Sequence, residues 1–182
     1  MNIIKRLLLG FVLFTTSLRG GSMTQLSDIA KALPAQAVEL TFDLPFKNHP
    51  PLGELHVYSA PLPNGVFILS SLQLPSIRED VLKSEEAFIR NFSSYLVSHL
   101  FYDPAVFQEA REVELISTSV NGQPGVHFHI SYMDKGTPKV IKGIAVYSNN
   151  ALFHLFYITS KTQVEEMNEH YKKAQEQLAT LI

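Results

Sequence analysis

The sequence predicts an α+β fold in which helices cover both faces of one antiparallel sheet, a three-layer α/β/α sandwich. Three apolar segments rich in β-branched and aromatic residues follow one another near the C-terminus, separated by short turn signals, which is typical of a β-meander. Both faces of this meander are largely apolar, so each needs cover, and two long amphipathic segments can provide it. The predicted order of elements is β-β-β-α-β-β-β-β-α.

The strands are predicted from alternating apolar residues and from turn residues between them. Asn64-Gly65 predicts a hairpin between the second and third strands, and Asn121-Gly122 ends the fourth. The seven predicted strands are residues 38–45, 53–60, 66–74, 112–120, 126–133, 139–148 and 151–159.

The last three strands should form hairpins whose loops tolerate positive φ. A two-residue loop at Asn149-Asn150 places Ile144 opposite Leu155, and the loop before it places His129 opposite Lys142. The opposite face should be buried beneath a helix, with a core that contains Phe128, Phe156 and Ile158.

Two helices are predicted from a capping box followed by apolar residues at three- and four-residue steps. The first follows Pro75, begins with the box at residues 76–79 and ends near Leu100. The second begins with the box at residues 162–165 and runs to the C-terminus. Its core-facing stripe is Val164, Met167, Tyr171, Ala174, Leu178 and Leu181.

The N-terminus predicts export. Lys5 and Arg6 precede an apolar run at residues 7–14, the pattern of a secretory signal peptide, so we expect residues 1–17 to be removed and the mature chain to start near Leu18. A buried N-terminal helix is the alternative interpretation. The run is shorter than the roughly 20 apolar residues that span a bilayer, so no stable membrane span is expected unless the signal stays uncleaved. The protein is therefore expected to be periplasmic or secreted.

Beyond the signal, the chain is expected to form one domain. Residues 18–37 contain Gly20, Gly21 and Pro34 and should form a loose lead-in, whereas residues 38–182 contain the predicted sheet and helices. A formal net charge of −2, with lysine and arginine dispersed, gives no reason to expect nucleic-acid binding. The chain has no cysteine, which excludes disulfides and a lipid-modified cysteine anchor.

The order of the elements and their turn motifs carry a resemblance to a known superfamily. The chain contains TFDLPF at residues 41–46, VNGQPGVHFHISY at residues 120–132 and ALFHLFYITSK at residues 151–161, followed by the closing helix. From residue 38 to residue 182 it resembles the PsbP-like superfamily, which includes the photosystem II extrinsic subunit PsbP, bacterial DcrB-type envelope proteins and Ran-binding Mog proteins.

That resemblance implies an α/β/α sandwich with a non-enzymatic binding or accessory role. It supplies no functional residues that match positions in this chain. The N-terminus lacks the features of a chloroplast transit peptide, which favours a bacterial envelope protein over a photosynthetic subunit.

No catalytic residue and no cofactor are predicted. The sequence has no cysteine, no Gly-x-Ser-x-Gly nucleophile elbow and no His-Glu-x-x-His metal motif. Its Asn-Gly pairs are explained by turns, so no phosphate-binding loop is expected.

Two histidines offer the alternative function, a metal-binding or metal-dependent envelope protein. His127 and His129 lie two apart on a predicted strand and project from the same face, where a third ligand would complete a transition-metal site. Their nearest predicted neighbour, Lys142, is a poor ligand and repels a cation. This favours the interpretation that the two histidines are partly covered polar residues on the sheet face and not metal ligands. His154 lies among apolar residues and is expected to be a core histidine.

The surface that contacts a partner protein is predicted at the loop after the first strand. Lys47, Asn48, His49 and Pro50 belong to a segment stiffened by prolines between two strands, which favours presentation to a partner. Tyr58 should extend this surface along the next hairpin. Protection of a sheet edge by proline is the alternative explanation. The preferred function is therefore a non-enzymatic binding or accessory protein of the bacterial envelope, whose partner is another envelope protein.

Overall fold

The computed structural model describes residues 38–39, 41–51, 55–73, 87 and 112–182. Within these ranges the chain forms a seven-stranded sheet, a short 3-10 turn at Lys161–Gln163 and one long helix. The elements are β1 (Lys47–Asn48), β2 (Leu55–Leu62), β3 (Gly65–Gln73), β4 (Glu112–Val120), β5 (Gln123–Asp134), β6 (Thr137–Ser148), β7 (Ala151–Ser160) and α1 (Val164–Ala179).

The strands lie in the order β1-β2-β3-β7-β6-β5-β4, and all neighbours are antiparallel. The predicted register is confirmed, since Ile144 pairs with Leu155 and His129 pairs with Lys142. Two-residue loops fix this register, because a slip of one residue would move every side chain to the other face.

Three hairpin loops have the left-handed backbone that their residues predict. Asn149 and Asn150 have φ of 50° and 60°, and positive φ recurs at Lys135-Gly136 and Asn121-Gly122. The hairpin predicted at Asn64-Gly65 exists, but its loop is Pro63-Asn64, and Gly65 already pairs with Leu62 in β3. A side chain at Gly65 would place its Cβ 3.0 Å from Cε of Met167.

Helix α1 covers one face of the sheet and buries most of the stripe expected from its sequence. Met167, Tyr171, Ala174 and Leu178 are buried in a core with apolar residues of β2, β3, β6 and β7. The predicted capping box does not form, because the chain makes a 3-10 turn first and the side chain of Gln163, the N-cap residue, makes no capping hydrogen bond.

Hydrogen bonds fix both ends of α1 to loops of the sheet. Next to its first turn, Nε2 of Gln163 donates to Oδ1 of Asn64 at 2.5 Å. At its last turn, Nδ2 of Asn121 donates to the carbonyl oxygen of Ala179 at 2.5 Å. Asn64 lies in the β2–β3 loop and Asn121 in the β4–β5 loop.

The other face of the sheet is buried as well. Phe128, Phe156 and Ile158 are buried as predicted, and the rings of the two phenylalanines lie 6.0 Å apart. Gly143 lies opposite Phe156 in the sheet, and its missing side chain leaves room for the rings. The helix after Pro75 that is expected to cover this face falls outside the described residues, apart from Ala87.

Two predictions about the fold are wrong. The described residues form a single antiparallel sheet with one C-terminal helix, not a three-layer α/β/α sandwich with two helices. The first predicted strand, at residues 38–45, is also wrong: Val38 and Glu39 are helical and the amide of Phe42 donates to the carbonyl oxygen of Val38 at 3.1 Å. Val38 and Phe42, four residues apart, are both buried, which a helical turn permits on one side.

Other predictions fall outside the described residues. The signal peptide at residues 1–17, the lead-in at residues 18–37 and the helix after Pro75 lie there, apart from Ala87, which is helical. In the part of the chain that the structure describes, no helix is long and apolar enough to cross a membrane.

Candidate functional site

The predicted partner loop lies at one edge of the sheet. Lys47 and Asn48 form β1 and pair with Ser59 and Tyr58 of β2. Both are exposed, as is Pro50. His49 is fixed to β2, because its Nε2 lies 2.6 Å from Oγ of Ser59 and its backbone amide donates to β2. The edge is therefore short and held against the neighbouring strand.

Tyr58 does not belong to this exposed surface. It is 2% exposed and packs in the core beneath α1. Burial, and then the charge of Glu39, raise the pKa of Tyr58. The structure therefore leaves Lys47, Asn48 and Pro50 as the accessible members of the predicted surface.

Strand β4 forms the opposite edge and is much longer. Among the described strands it pairs with β5 alone, so one side of its backbone carries N–H and C=O groups available for a further strand. Val113 and Ile116 are the two large apolar side chains of the described ranges that are exposed, at 46% and 53%. Glu112 and Glu114 are exposed on the same strand.

The two histidines project from the face that α1 covers. His127 pairs with Ile144 of the core, and His129 pairs with Lys142 on one side and Glu114 on the other. Burial, and then the charge of Lys142, lower the pKa of His127, while a backbone hydrogen bond with Gly143 opposes the shift. Burial and the charge of Lys142 therefore both favour the neutral imidazole of His127.

A cleft of about 410 Å³ opens between α1 and this histidine face. Strands β4, β5 and β6 form its floor, and α1 forms its wall. Most of the lining residues have polar or charged side chains, while most of the lining surface is apolar and includes the ring of Phe128 beside Gly143. The other lining residues are Glu114, Ile116, His127, His129, Lys142, Asn168, Tyr171, Lys172 and Gln175.

Asn168 organises the wall of the cleft. Its Oδ1 accepts hydrogen bonds from Nζ of Lys142 at 3.0 Å and from the hydroxyl of Tyr157 at 2.9 Å. Tyr157 and Tyr171 pack edge to face with ring centroids 5.6 Å apart. Burial raises the pKa of Tyr157 to about 12. Burial also raises the pKa of Tyr171, and the neighbouring Tyr157 raises it further.

Two of the side chains that line the cleft each carry a polar atom without a hydrogen-bond partner. These atoms are Nε2 of His129 and the hydroxyl oxygen of Tyr171, and both are buried. Buried polar groups are nearly always paired in proteins, so each unpaired atom requires an explanation. His129 could be identified from the sequence. Tyr171 is predicted only as a residue of the helix core, because hydrophobic periodicity indicates burial and not the position of a hydroxyl group.

For a metal site at His127 and His129, the described residues offer these two ligands and no third. The described ranges contain no group of three or more histidine, cysteine, aspartate or glutamate side chains arranged to hold a metal ion. Lys142 lies directly opposite His129 in the sheet, as expected.

His154 is a core histidine, as predicted. It lies on the face opposite α1 and is 2% exposed, with Nδ1 3.4 Å from Oγ of Ser70. Burial lowers its pKa to about 3, so the ring is neutral. It belongs to neither the cleft nor the sheet edges.

Comparison with known proteins gives distant structural matches alone. No family model and no curated protein matches the chain. A Pseudomonas aeruginosa protein of unknown function, PA94, matches with a TM-score of 0.43 and 10% identity over 71% of this chain and 93% of that one. LpqN, involved in cell envelope biogenesis of Mycobacterium tuberculosis, matches with a TM-score of 0.37 and 11% identity over 70% of this chain and 80% of its own.

A third match is a structure from Bacteroides thetaiotaomicron VPI-5482, with a TM-score of 0.35 and 12% identity over 64% of this chain and 35% of that one. At these identities and TM-scores the matches establish no family, and the PsbP-like resemblance is not confirmed.

Proposed function

We propose that this chain is an exported accessory protein of the cell envelope that acts without catalysis, by pairing its open sheet edge with an extended segment of a partner protein. The observation that carries the proposal is β4, a nine-residue edge strand with Ile116 and Val113 exposed. Proteins usually protect such an edge with short strands, proline or lysine, because an unprotected edge accepts another strand. β4 is nine residues long and contains neither proline nor lysine, and its charged side chains are Glu112 and Glu114.

The side chains of β4 define the partner segment. Alternation along the strand puts Glu112, Glu114 and Ile116 on the face of the sheet that α1 covers and Val113 on the other face. An added strand would bring its own side chains opposite these. The partner segment should therefore be extended, with lysine or arginine opposite the two glutamates and apolar residues opposite Ile116 and Val113.

The loop edge remains a second proposed contact. Lys47, Asn48, His49 and Pro50 offer less backbone for strand addition, because β1 has two residues and prolines follow it. We therefore assign the main contact to β4 and a secondary one to the loop.

Export is proposed from the N-terminal sequence. The basic residues and the apolar run that follows them support a signal peptide cleaved before Leu18, a periplasmic or secreted location and a bacterial envelope partner. A PsbP-like relationship would agree with this role. N-terminal sequencing of the protein from the envelope fraction should read from near Leu18, whereas an intact Met1 in the cytosolic fraction would contradict export.

Site-specific photo-crosslinking in the native cells tests the contact at β4. A photoreactive amino acid is introduced at Ile116, at Asn48 or at the exposed Thr162, which lies on neither edge. We expect position 116 to form an adduct with one envelope protein, at a segment that contains lysine or arginine, and position 162 to form none. An adduct at position 48 alone, or at position 116 with a second copy of this chain alone, would contradict the assignment.

A matched pair of variants shows whether the edge itself is required. The crosslinker is placed at the exposed Ser119 of β4 and combined with Ile116→Lys or, as the control for added charge, Thr162→Lys. A lysine at an exposed position changes stability by no more than about 0.5 kcal/mol, so both variants should fold. The adduct should be lost with Ile116→Lys and kept with Thr162→Lys.

A further inference from the structure

The cleft between α1 and the histidine face is lined by several side chains that can donate hydrogen bonds. Its volume of about 410 Å³ lies within the range of pockets that hold small molecules, about 300 to 1,000 Å³. Tyr171, 3% exposed, and His129 both line this space and both contribute a buried polar atom without a partner. A buried group left unpaired costs about 1 to 3 kcal/mol, which a ligand that accepts hydrogen bonds would recover.

The charge of the cleft selects the kind of acceptor. Lys142 uses one of its three N–H groups for Asn168, and no carboxylate of the described residues lies within ion-pair distance of it. Lys172 adds a second ammonium at the exposed side of α1. Among the described residues that line the cleft, Glu114 is the one acidic side chain, and it is exposed on β4.

We propose that this cleft binds a small organic oxyanion, a carboxylate or a phosphate ester. Nζ of Lys142, the hydroxyl of Tyr171 and Nε2 of His129, in the tautomer that carries its proton there, donate hydrogen bonds to the anionic oxygens. Lys172 supplies further positive charge at the entrance. The three donors lie on β5, β6 and α1, so anion binding does not require the contact at β4, although Glu114 and Ile116 of β4 also line the cleft.

Three ligands that share a phenyl ring distinguish binding of the anion from binding of the ring. Benzoate carries a carboxylate, phenyl phosphate carries a phosphate ester, and benzyl alcohol has the same ring without charge. We expect calorimetric titration of the purified full chain to show binding of benzoate or phenyl phosphate, and the stronger of the two identifies the anion. Binding of benzyl alcohol with equal affinity, or no binding of either anion, would overturn the proposal.

Variants assign the binding to the three donors. Tyr171→Phe removes the hydroxyl and keeps the ring, and Lys142→Met removes the charge and keeps most of the stem. Each should weaken anion binding about 10-fold or more, the usual effect of losing a hydrogen bond to a charged group. Lys173→Met is the matched control: Lys173 lies on the same helix, outside the cleft, and pairs with Asp43.

Folding and metal binding are measured on the same samples. Tyr171→Phe removes an unpaired buried hydroxyl, so its thermal midpoint should equal or exceed that of the parent chain while its anion affinity falls. Unchanged anion affinity in a folded Tyr171→Phe would overturn the proposal. Stoichiometric Zn²⁺ binding that is lost in the double variant His127→Ala, His129→Ala, without anion binding by the parent chain, would overturn it in favour of a metal site.

Discussion

Lys142 of β6 and Asn168 of α1 are joined across the cleft, with Nζ of the lysine donating to Oδ1 of the asparagine at 3.0 Å. The same oxygen accepts from the hydroxyl of Tyr157. The side-chain amide of Asn168 thus holds the Lys142 ammonium at the border of the cleft and also accepts the hydrogen bond of the buried Tyr157. Loss of the Asn168 amide should therefore reduce the stability of the fold as well as anion binding in the cleft.

Asn168→Leu should therefore lower the free energy of unfolding by about 1 to 3 kcal/mol, because it leaves the Tyr157 hydroxyl and the Lys142 ammonium without their acceptor. Chemical denaturation measures the change. Asn168→Asp keeps an acceptor oxygen at the same place and serves as the control, with a smaller loss expected. Equal losses in the two variants would show that the amide packs there without acting as an acceptor.

Phe156→Ala should cost about 3 to 5 kcal/mol of stability. The side chain is 5% exposed and its ring lies 6.0 Å from that of Phe128, so truncation leaves a cavity in a packed face. Val113→Ala, at a position 46% exposed, is the control and should change stability little. An unchanged thermal midpoint for Phe156→Ala would contradict the assignment of this face to the core.

Gly143→Ala should destabilise the sheet by about 1 to 3 kcal/mol or more through overpacking. The added Cβ would contact Phe156 and lie 2.6 Å from Cζ of Phe128 and 2.7 Å from the carbonyl oxygen of Leu155. Gly122→Ala is the control for glycine loss, since that position has open space but a φ of 79°. Comparison of their urea midpoints separates crowding from backbone strain. A smaller loss at Gly143 than at Gly122 would show that the rings can move apart.

His154 should make stability depend on pH. Burial lowers its pKa from 6.5 to about 3. Below pH 6.5 this histidine is protonated in the unfolded chain but stays neutral in the folded chain down to about pH 3. The free energy of unfolding therefore falls as the pH is lowered through this window. The slope for one such group is at most about 1.4 kcal/mol per pH unit.

Urea denaturation between pH 4 and pH 7 tests this dependence. His154→Leu should flatten the curve, whereas His170→Gln, at an exposed histidine of α1, should leave the slope as it was. Identical slopes in the parent chain and in His154→Leu would assign the pH dependence to other groups.

The hairpins could be predicted from the sequence because their information is local. Asn149 and Asn150 tolerate the positive φ of a two-residue loop, and the loop then sets the pairing of Ile144 with Leu155. The buried stripe of α1 is equally local, since Met167, Tyr171 and Ala174 follow the period of the helix.

The errors arose where distant contacts decide the structure. The segment around Val38 and Phe42 has the composition of a strand, yet a helical turn lets both side chains reach the core under α1. The capping box before α1 was overridden by a 3-10 turn, in which Oγ of Ser160 donates to Oε1 of Gln163 at 2.8 Å. Local propensity is a weak prior against such contacts.

The cleft could not be predicted because its parts are remote in sequence. Lys142 and Asn168 are 26 residues apart, and their contact depends on the angle at which α1 crosses the sheet. Hydrophobic periodicity gives the buried side of a helix and not this angle. The two histidines were found because they share a strand, and the neighbouring Lys142 was found because the hairpin register is local.

Helix α1 acts as a diagonal brace across the sheet. It is tied through Gln163 to the β2–β3 loop at one corner and through Asn121 to the β4–β5 loop at the opposite corner. A diagonal member resists shear, so sliding of the strands along one another would strain these two ties as well as the backbone ladders of the sheet. A force on the β4–β5 loop would therefore also act on α1 and, through Gln163, on the β2–β3 loop at the far corner.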